Sequence, residues 1–97
     1  MAFKLIIQEK ADFEIIAAYL YYEEKQPGLG DIFLAQLDFY FNWIKTYPLH
    51  FAEKSPPFRE AILKRFPFAI IYEVTENEVI IYSVFNTWQD PEKKTPR

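Results

Sequence analysis

The sequence has no cysteine and only two glycines, Gly28 and Gly30, which stand in one short segment. Without cysteine, neither a disulfide framework nor a thiolate metal site can form. Because glycine is confined to that segment, the chain has no glycine-rich loop that could cradle a phosphate. The only serines are Ser55 and Ser83, and neither lies in a nucleophile motif. These absences exclude several classes of enzyme, and we predict no metal and no cofactor.

The sequence also lacks a surplus of positive charge and any long hydrophobic run. Eleven Lys and Arg stand against 14 Asp and Glu, so the net charge is −3. Residues 1–48 carry four basic and seven acidic side chains, and residues 49–97 carry seven of each. Because general nucleic-acid binding depends on surplus positive charge, we expect no free nucleic-acid binding. With no bilayer-length apolar run and no signal-peptide pattern, we expect a cytoplasmic protein without membrane contact.

Aromatic residues are abundant instead, with ten Phe, seven Tyr and two Trp among 97 residues. Each buried aromatic side chain removes about 150–250 Å² from water, so a short chain can hold two layers together. Aromatic side chains that remain at the surface are typical of a protein with a partner. We therefore predict a single domain over residues 1–90, a flexible tail over 91–97 and a protein partner, with a homodimer as an alternative.

The apolar periodicity of the first half predicts two helices. The segment 11–25 has neither glycine nor proline, and Asp12 and Glu14 would favour its first turn through the helix dipole. Apolar residues with the spacing of one helix face occur there at Phe13, Ile16, Ala17 and Leu20. After a break at 26–30, a second helix extends to about Thr46. Its apolar stripe consists of Phe33, Leu37, Tyr40, Phe41 and Ile44. The short break predicts an antiparallel hairpin.

Four β-strands are predicted around this helical hairpin. One precedes it at residues 3–7, and three follow at 59–65, 69–74 and 79–85. The stretch 49–58 is predicted to be the least regular part of the chain. Short connections between the later strands favour antiparallel pairing. The predicted fold class is therefore α+β, a two-layer β-α-α-β-β-β domain with an antiparallel sheet packed against the α-helical hairpin.

Two arginines in the segment 59–65 are candidates for binding or catalysis. Residues two apart in a strand share a face, so Arg59 and Arg65 would lie on one side, about 20 Å apart at most. Arginine stays charged and binds phosphate through two parallel hydrogen bonds. Lys64 adds a third positive charge, on the opposite side of the predicted strand. The alternative is that both arginines pair with Glu60, Glu73 or acidic side chains of the helices at the rim of the sheet.

A fixed order of residues runs through the last three predicted strands. An arginine-bearing strand is followed by Phe-Pro-Phe-x-Ile-x-Tyr, and then by an apolar strand that ends in valine with Asp-Pro beyond it. The positions concerned are Arg59, Arg65, Phe66, Pro67, Phe68, Ile70, Tyr72, Val84, Asp90 and Pro91. Over nearly its whole length the chain thereby resembles the RelE/ParE superfamily, the toxins of bacterial type II toxin–antitoxin pairs.

The resemblance implies a toxin that a small antitoxin protein neutralises, and two positions depart from the superfamily pattern. Asn86 stands where histidine is common, and Gln89 stands where arginine is common. Asparagine does not titrate near neutral pH and glutamine carries no charge, so groups that RNA cleavage uses are missing. We therefore predict that the chain is a ParE-like toxin that acts by binding an essential target, and that it is not itself an enzyme. The resemblance implies DNA gyrase as that target.

Two alternatives remain open beside this prediction. The first alternative is a ribosome-dependent mRNA interferase of the RelE type, with Arg59 and Arg65 as catalytic groups. The second is a diverged, non-toxic protein-interaction module on the same scaffold. The partner would then be the ribosome or another protein. The residues predicted to contact a target or partner are Arg59, Lys64, Arg65, Asn86, Trp88 and Gln89.

Overall fold

The computed structural model describes residues 3–88, so Gln89 and the predicted tail lie outside the described residues. In chain order the elements are β1 (Lys4–Ile7), α1 (Glu9–Lys25), α2 (Leu29–Thr46), β2 (Glu53–Ser55), β3 (Phe58–Ile62), β4 (Phe68–Val74) and β5 (Glu78–Asn86). The helices form a hairpin that packs against the sheet, so the predicted α+β class is confirmed. No helix within the described range is long and apolar enough to cross a bilayer.

The strands form one five-stranded sheet in the order β1-β5-β4-β3-β2. The strands β3, β4 and β5 pair antiparallel in sequence, as predicted, and β2 adds antiparallel to β3. The first strand, β1, instead pairs in parallel with β5, with Lys4 opposite Glu78 and Ile7 opposite Ile81. A parallel pair needs a long connection between its strands, and the helical hairpin is part of the connection from β1 to β5.

Two outcomes concern the segment 49–65. The stretch 49–58 is largely turn and bend, as predicted, but it also contains β2, an unpredicted strand that forms the exposed edge beside β3. The strand β3 ends at Ile62 rather than at residue 65, because the Leu63 N–H bonds the Phe68 carbonyl and the chain bends toward β4. Arg65 therefore lies in the connection, and it does not share a strand face with Arg59.

The core lies between α2 and the sheet, and the predicted stripe of α2 provides one side of it. Phe33, Leu37, Tyr40 and Ile44 are buried, and Phe41 is partly buried against them. The facing side chains of the sheet include Ala61, Ile70, Tyr72, Val79, Ile81 and Val84. Burial of such side chains contributes about 1.5–3 kcal/mol each, so this interface is the main source of stability.

The helix α1 forms as predicted, but the face that it buries is opposite to the predicted apolar face. Small residues approach the sheet, since Ala11 and Ala18 are buried. Phe13, Ile16 and Leu20 are 65%, 49% and 58% exposed, respectively. At 3.6 residues per turn these three lie on the far side of α1, away from the buried alanines. We call Phe13, Ile16 and Leu20 the outer stripe.

The turn between the helices is held by one glutamate and one close contact. The Glu23 carboxylate accepts hydrogen bonds from the N–H groups of Gly28 and Gly30, both at 2.9 Å, and so caps the start of α2. Gly28 has φ +92°, which favours glycine. At Gly30, a Cβ atom would lie 2.8 Å from the ring and the carbonyl oxygen of Tyr19, so α1 and α2 approach closely there.

Candidate functional site

A groove of about 640 Å³ opens between α1 and the end of the sheet where β4 begins and β5 ends. Its deeper wall is aromatic: the ring centroid of Tyr22 lies 4.9 Å from that of Phe66 and 6.2 Å from that of Phe68. Tyr21 and Trp88 stand at the open side, and Trp88 is 84% exposed. Exposed aromatic side chains around a concave surface are typical of sites that bind another molecule.

The charged side chains of the groove are separated along α1. Lys25, at the end of the helix, lines the groove, and the Lys25 Nζ is 5.2 Å from the centre of the Tyr21 ring. This distance is typical of a cation–π contact. Glu14 lies about 16 Å away along the helix axis, at about 1.5 Å per residue. One end of the groove is therefore basic, and the other end holds a carboxylate.

Glu14 links α1 directly to β5. Its Oε1 accepts a hydrogen bond from the Ser83 hydroxyl at 2.8 Å and another from the Val84 N–H at 3.0 Å. The prediction that Glu14 favours the first turn of the helix is wrong, because α1 begins at Glu9 and Glu14 lies beyond that turn. Its position on the same face as the buried Ala11 was the available signal, since a carboxylate there needs a partner.

Three of the predicted contact residues meet at this groove, namely Arg65, Asn86 and Trp88. Arg65 is exposed, and its backbone N–H donates to Gln36 Oε1 at 3.1 Å, which ties the β3–β4 connection to α2. The Asn86 Oδ1 accepts a hydrogen bond from the Trp88 N–H at 2.9 Å. Asn86 thus stabilises the turn after β5 that places Trp88 beside the groove.

The other described candidates, Arg59 and Lys64, do not line the groove. Arg59 Nη1 donates to the Phe51 carbonyl at 2.7 Å, and its Nη2 lies 4.0 Å from the Glu53 carboxylate. The guanidinium therefore bridges β3 and β2 at the rim of the sheet, with Glu53 as its acidic partner rather than Glu60, Glu73 or a helix carboxylate. Lys64 is exposed in the connection before β4. Arg59 and Arg65 consequently belong to different surfaces.

Sequence reasoning missed the groove residues that come from α1, namely Glu14, Tyr21 and Lys25. They reach the site only because α1 crosses β5, and the position of that crossing cannot be read from the sequence.

The titratable groups lining the groove include Tyr22, whose pKa is raised by burial. His50, the single histidine of the sequence, does not line the groove, and its ring lies 4.9 Å from that of Trp43. No cluster of His, Cys, Asp and Glu that could hold a metal ion occurs within residues 3–88.

A solved structure described as "Chromosomal ParDE TA system from P. aeruginosa" contains a chain with this fold. The two chains superpose with a TM-score of 0.77 and 19% sequence identity, over 88% of this chain and 96% of that one. No protein-family model and no curated protein sequence matches this chain. At this level of identity the likeness establishes the fold, which agrees with the fold that the sequence resemblance implies.

Proposed function

We propose that this chain is the toxin component of a type II toxin–antitoxin system, of the ParE kind, and that a small antitoxin protein neutralises it in the cytoplasm. The observation that carries the proposal is the likeness to a chain of the ParDE system over 88% of this chain, at a TM-score of 0.77. The groove adds support, because a concave, aromatic-lined surface with an exposed Trp88 suits a protein partner.

The arrangement of polar groups favours inhibition by binding over RNA cleavage. General acid–base catalysis needs titratable groups within reach of one reacting atom. Arg59 is engaged with Phe51 and Glu53 at the β2 edge, whereas Arg65 stands at the groove. Asn86, at the position where histidine is common, uses its side-chain oxygen in a turn. We therefore propose that the chain binds an essential target, for which the resemblance implies DNA gyrase.

Growth of a bacterial host tests the toxin role. The chain is induced alone, and then together with the product of the reading frame beside its own gene. The expected result is growth arrest that the neighbouring product relieves. Lys54→Ala, at an exposed site on β2 far from the groove, serves as the control and should arrest growth equally. Normal growth with soluble protein verified in the cells would reject the toxin role.

Two assays with the purified chain separate inhibition of gyrase from RNA cleavage. The chain is expected to block DNA supercoiling by gyrase and to leave messenger RNA intact in a translation extract. Cleavage of the message that Arg65→Ala abolishes would support the RelE type instead. Unimpaired gyrase together with intact message would remove both of these targets.

The second candidate function is a non-toxic interaction module on the same scaffold. It is favoured by the structural use of Asn86, which holds the turn before Trp88, and by the exposed outer stripe. This alternative predicts a stable complex with the neighbouring gene product but no growth arrest. Co-purification together with the growth assay therefore distinguishes it from the toxin.

A further inference from the structure

Two cations that line the groove have no acidic partner. Lys25 lies against the face of the Tyr21 ring, and Arg65 is exposed in the connection before β4. Within residues 3–88, neither of these two side chains forms an ion pair. The groove therefore presents two positive charges that a bound molecule could neutralise.

Both cations belong to the same end of the groove. Lys25 follows Tyr22 by about one turn of α1, and Arg65 directly precedes Phe66. The rings of Tyr22 and Phe66 are in contact, with 4.9 Å between their centroids. The positive charge of the groove is therefore concentrated beside this ring pair.

The negative charge of the groove lies at its other end and is already engaged. Glu14 is the only acidic side chain among the described residues that line the groove. Its Oε1 accepts hydrogen bonds from the Ser83 hydroxyl and the Val84 N–H. Glu14 lies about 16 Å from Lys25 along α1, at about 1.5 Å per residue. This distance exceeds the screening length of about 8–10 Å at physiological salt, so Glu14 repels an anion at the basic end only weakly.

The groove has the size and the walls of a small-molecule site. Its volume of about 640 Å³ lies within the range of roughly 300–1,000 Å³ that is typical of such sites. One wall consists of the Tyr22 and Phe66 ring pair and continues to Phe68. Tyr21 and Trp88 stand at the open side. A flat aromatic ring can contact these side chains edge to face or by offset stacking.

We propose that the groove binds a small planar aromatic molecule that carries one carboxylate. The ring lies between the aromatic wall and Trp88, and the carboxylate lies at the basic end beside Lys25 and Arg65. Arginine can hold a carboxylate through two parallel hydrogen bonds. An amine at that end would meet two like charges, so the site selects an anion. This binding site goes beyond the function proposed above and does not depend on it.

Three naphthalene derivatives of nearly equal size test the proposal. Naphthoate, naphthamide and naphthylmethylamine differ in charge and are titrated into the isotope-labelled full chain, followed by NMR. Naphthoate is expected to shift the indole N–H signal of Trp88. The signal of Trp43, which does not line the groove, is the internal control. Naphthamide should bind roughly tenfold more weakly than naphthoate, the effect of one charge-assisted hydrogen bond, and the amine should bind more weakly still.

Four variants at exposed positions separate the charge from the ring contacts. Arg65→Gln and Lys25→Gln each remove one cation and should weaken the binding of naphthoate but not that of naphthamide. Lys10→Gln is the matched control, because it removes a cation from the same helix outside the groove and should leave both affinities unchanged. Trp88→Ala should weaken naphthoate and naphthamide by the same factor. The amide spectrum of each variant verifies that it is folded.

Equal affinities for the three ligands would overturn the proposal, because apolar contact alone would then account for binding. Equal affinities of Lys10→Gln and Arg65→Gln for naphthoate would overturn it too, as would shifts of Trp43 without shifts of Trp88. The absence of saturable shifts at about millimolar naphthoate would likewise reject the site.

The titration is independent of toxicity. A chain that binds naphthoate in the groove and does not arrest growth would lose the proposed toxin role, while the ligand site would stand. A chain that arrests growth and does not bind naphthoate would keep the toxin role and lose this site.

Discussion

Tyr72 is a core residue that carries a hydroxyl group. The residue is fully buried, and its hydroxyl donates to the Pro48 carbonyl at 2.8 Å. Burial raises the pKa of Tyr72 to about 12, although Arg59 and a backbone hydrogen bond of Phe51 act to lower it. Because the pKa in the folded state exceeds the unfolded value, the folded state retains the hydroxyl proton to a higher pH than the unfolded state does.

The contribution of Tyr72 to stability is therefore complete below about pH 10 and is lost as the pH rises toward about 12. Denaturant unfolding at a series of alkaline pH values measures this loss. Tyr72→Phe should be less stable at neutral pH by about 1–3 kcal/mol, because the Pro48 carbonyl loses its donor. The variant should also lose less stability across the alkaline range than the wild type. Parallel losses in both proteins would contradict the assignment.

Glu23 is expected to matter more for stability than its neighbour in sequence. Its carboxylate accepts hydrogen bonds from Gly28 and Gly30 at the start of α2, where backbone N–H groups have no helical partner. Glu23→Ala should lower the free energy of unfolding by about 1–2 kcal/mol in urea denaturation. Glu24→Ala, on an exposed part of α1, is the control. Equal losses in the two variants would show that the cap does not contribute.

At the residue scale, sequence reasoning reached the groove only in part. Arg65 and Trp88 were predicted from the order of motifs along the chain, and both line the groove. Arg59 was predicted with them, yet it lies at the β2 edge, because β2 pairs with β3 there and places Glu53 opposite Arg59. Glu14 was missed, since its role depends on where α1 crosses β5 rather than on its sequence neighbours.

The helix α1 carries two periodic faces, and the sequence does not decide which one is buried. Ala11, Ile15, Ala18 and Tyr22 have the same helical spacing as the larger residues Phe13, Ile16 and Leu20. The larger side chains give the stronger apolar signal, yet the alanines face the core. A helix bearing small residues can lie closer to a sheet, and that distance is a property of the packed structure.

The exposure of the outer stripe predicts opposite outcomes for two phenylalanines. Phe13→Ser should change the free energy of unfolding by no more than about 0.5 kcal/mol, because the side chain is 65% exposed. Phe33→Ala should cost about 3–5 kcal/mol, since Phe33 is fully buried against Phe66 and Phe68. Urea denaturation of both variants measures the difference. A large loss for Phe13→Ser would place that side chain in a packed interface.

Local composition predicts the strands β4 and β5 but not β2. Both β4 and β5 are rich in β-branched and aromatic residues, and their predicted bounds agree with the structure to within one residue. By contrast, β2 consists of Glu53, Lys54 and Ser55, which have no such preference, and it is a strand only because β3 lies beside it. Pairing with a neighbour, not local composition, determines such a strand.

Across the whole molecule, α1 separates two surfaces of different character. The outer stripe faces solvent on one side of the helix, and the groove lies on the other, with Tyr21 between them. Of these two surfaces, the groove has the aromatic wall and the positive charge of Lys25 and Arg65. A partner that extends from the groove over α1 would cover both surfaces and would remove the apolar outer stripe from water.

The charge of the whole molecule predicts how it behaves toward nucleic acids. The net charge is −3, and Arg59 is engaged at the β2 edge with Phe51 and Glu53. Binding to a polyanion requires several cations on one surface, and it weakens steeply with salt. Fluorescence anisotropy with labelled single-stranded RNA and duplex DNA should therefore show no binding at about 0.15 M salt. Anisotropy that rises with protein, falls with salt and disappears in Arg65→Ala would contradict this prediction. Such a result would favour a role for Arg65 on RNA, and the proposal of inhibition by binding a protein target would lose its electrostatic support.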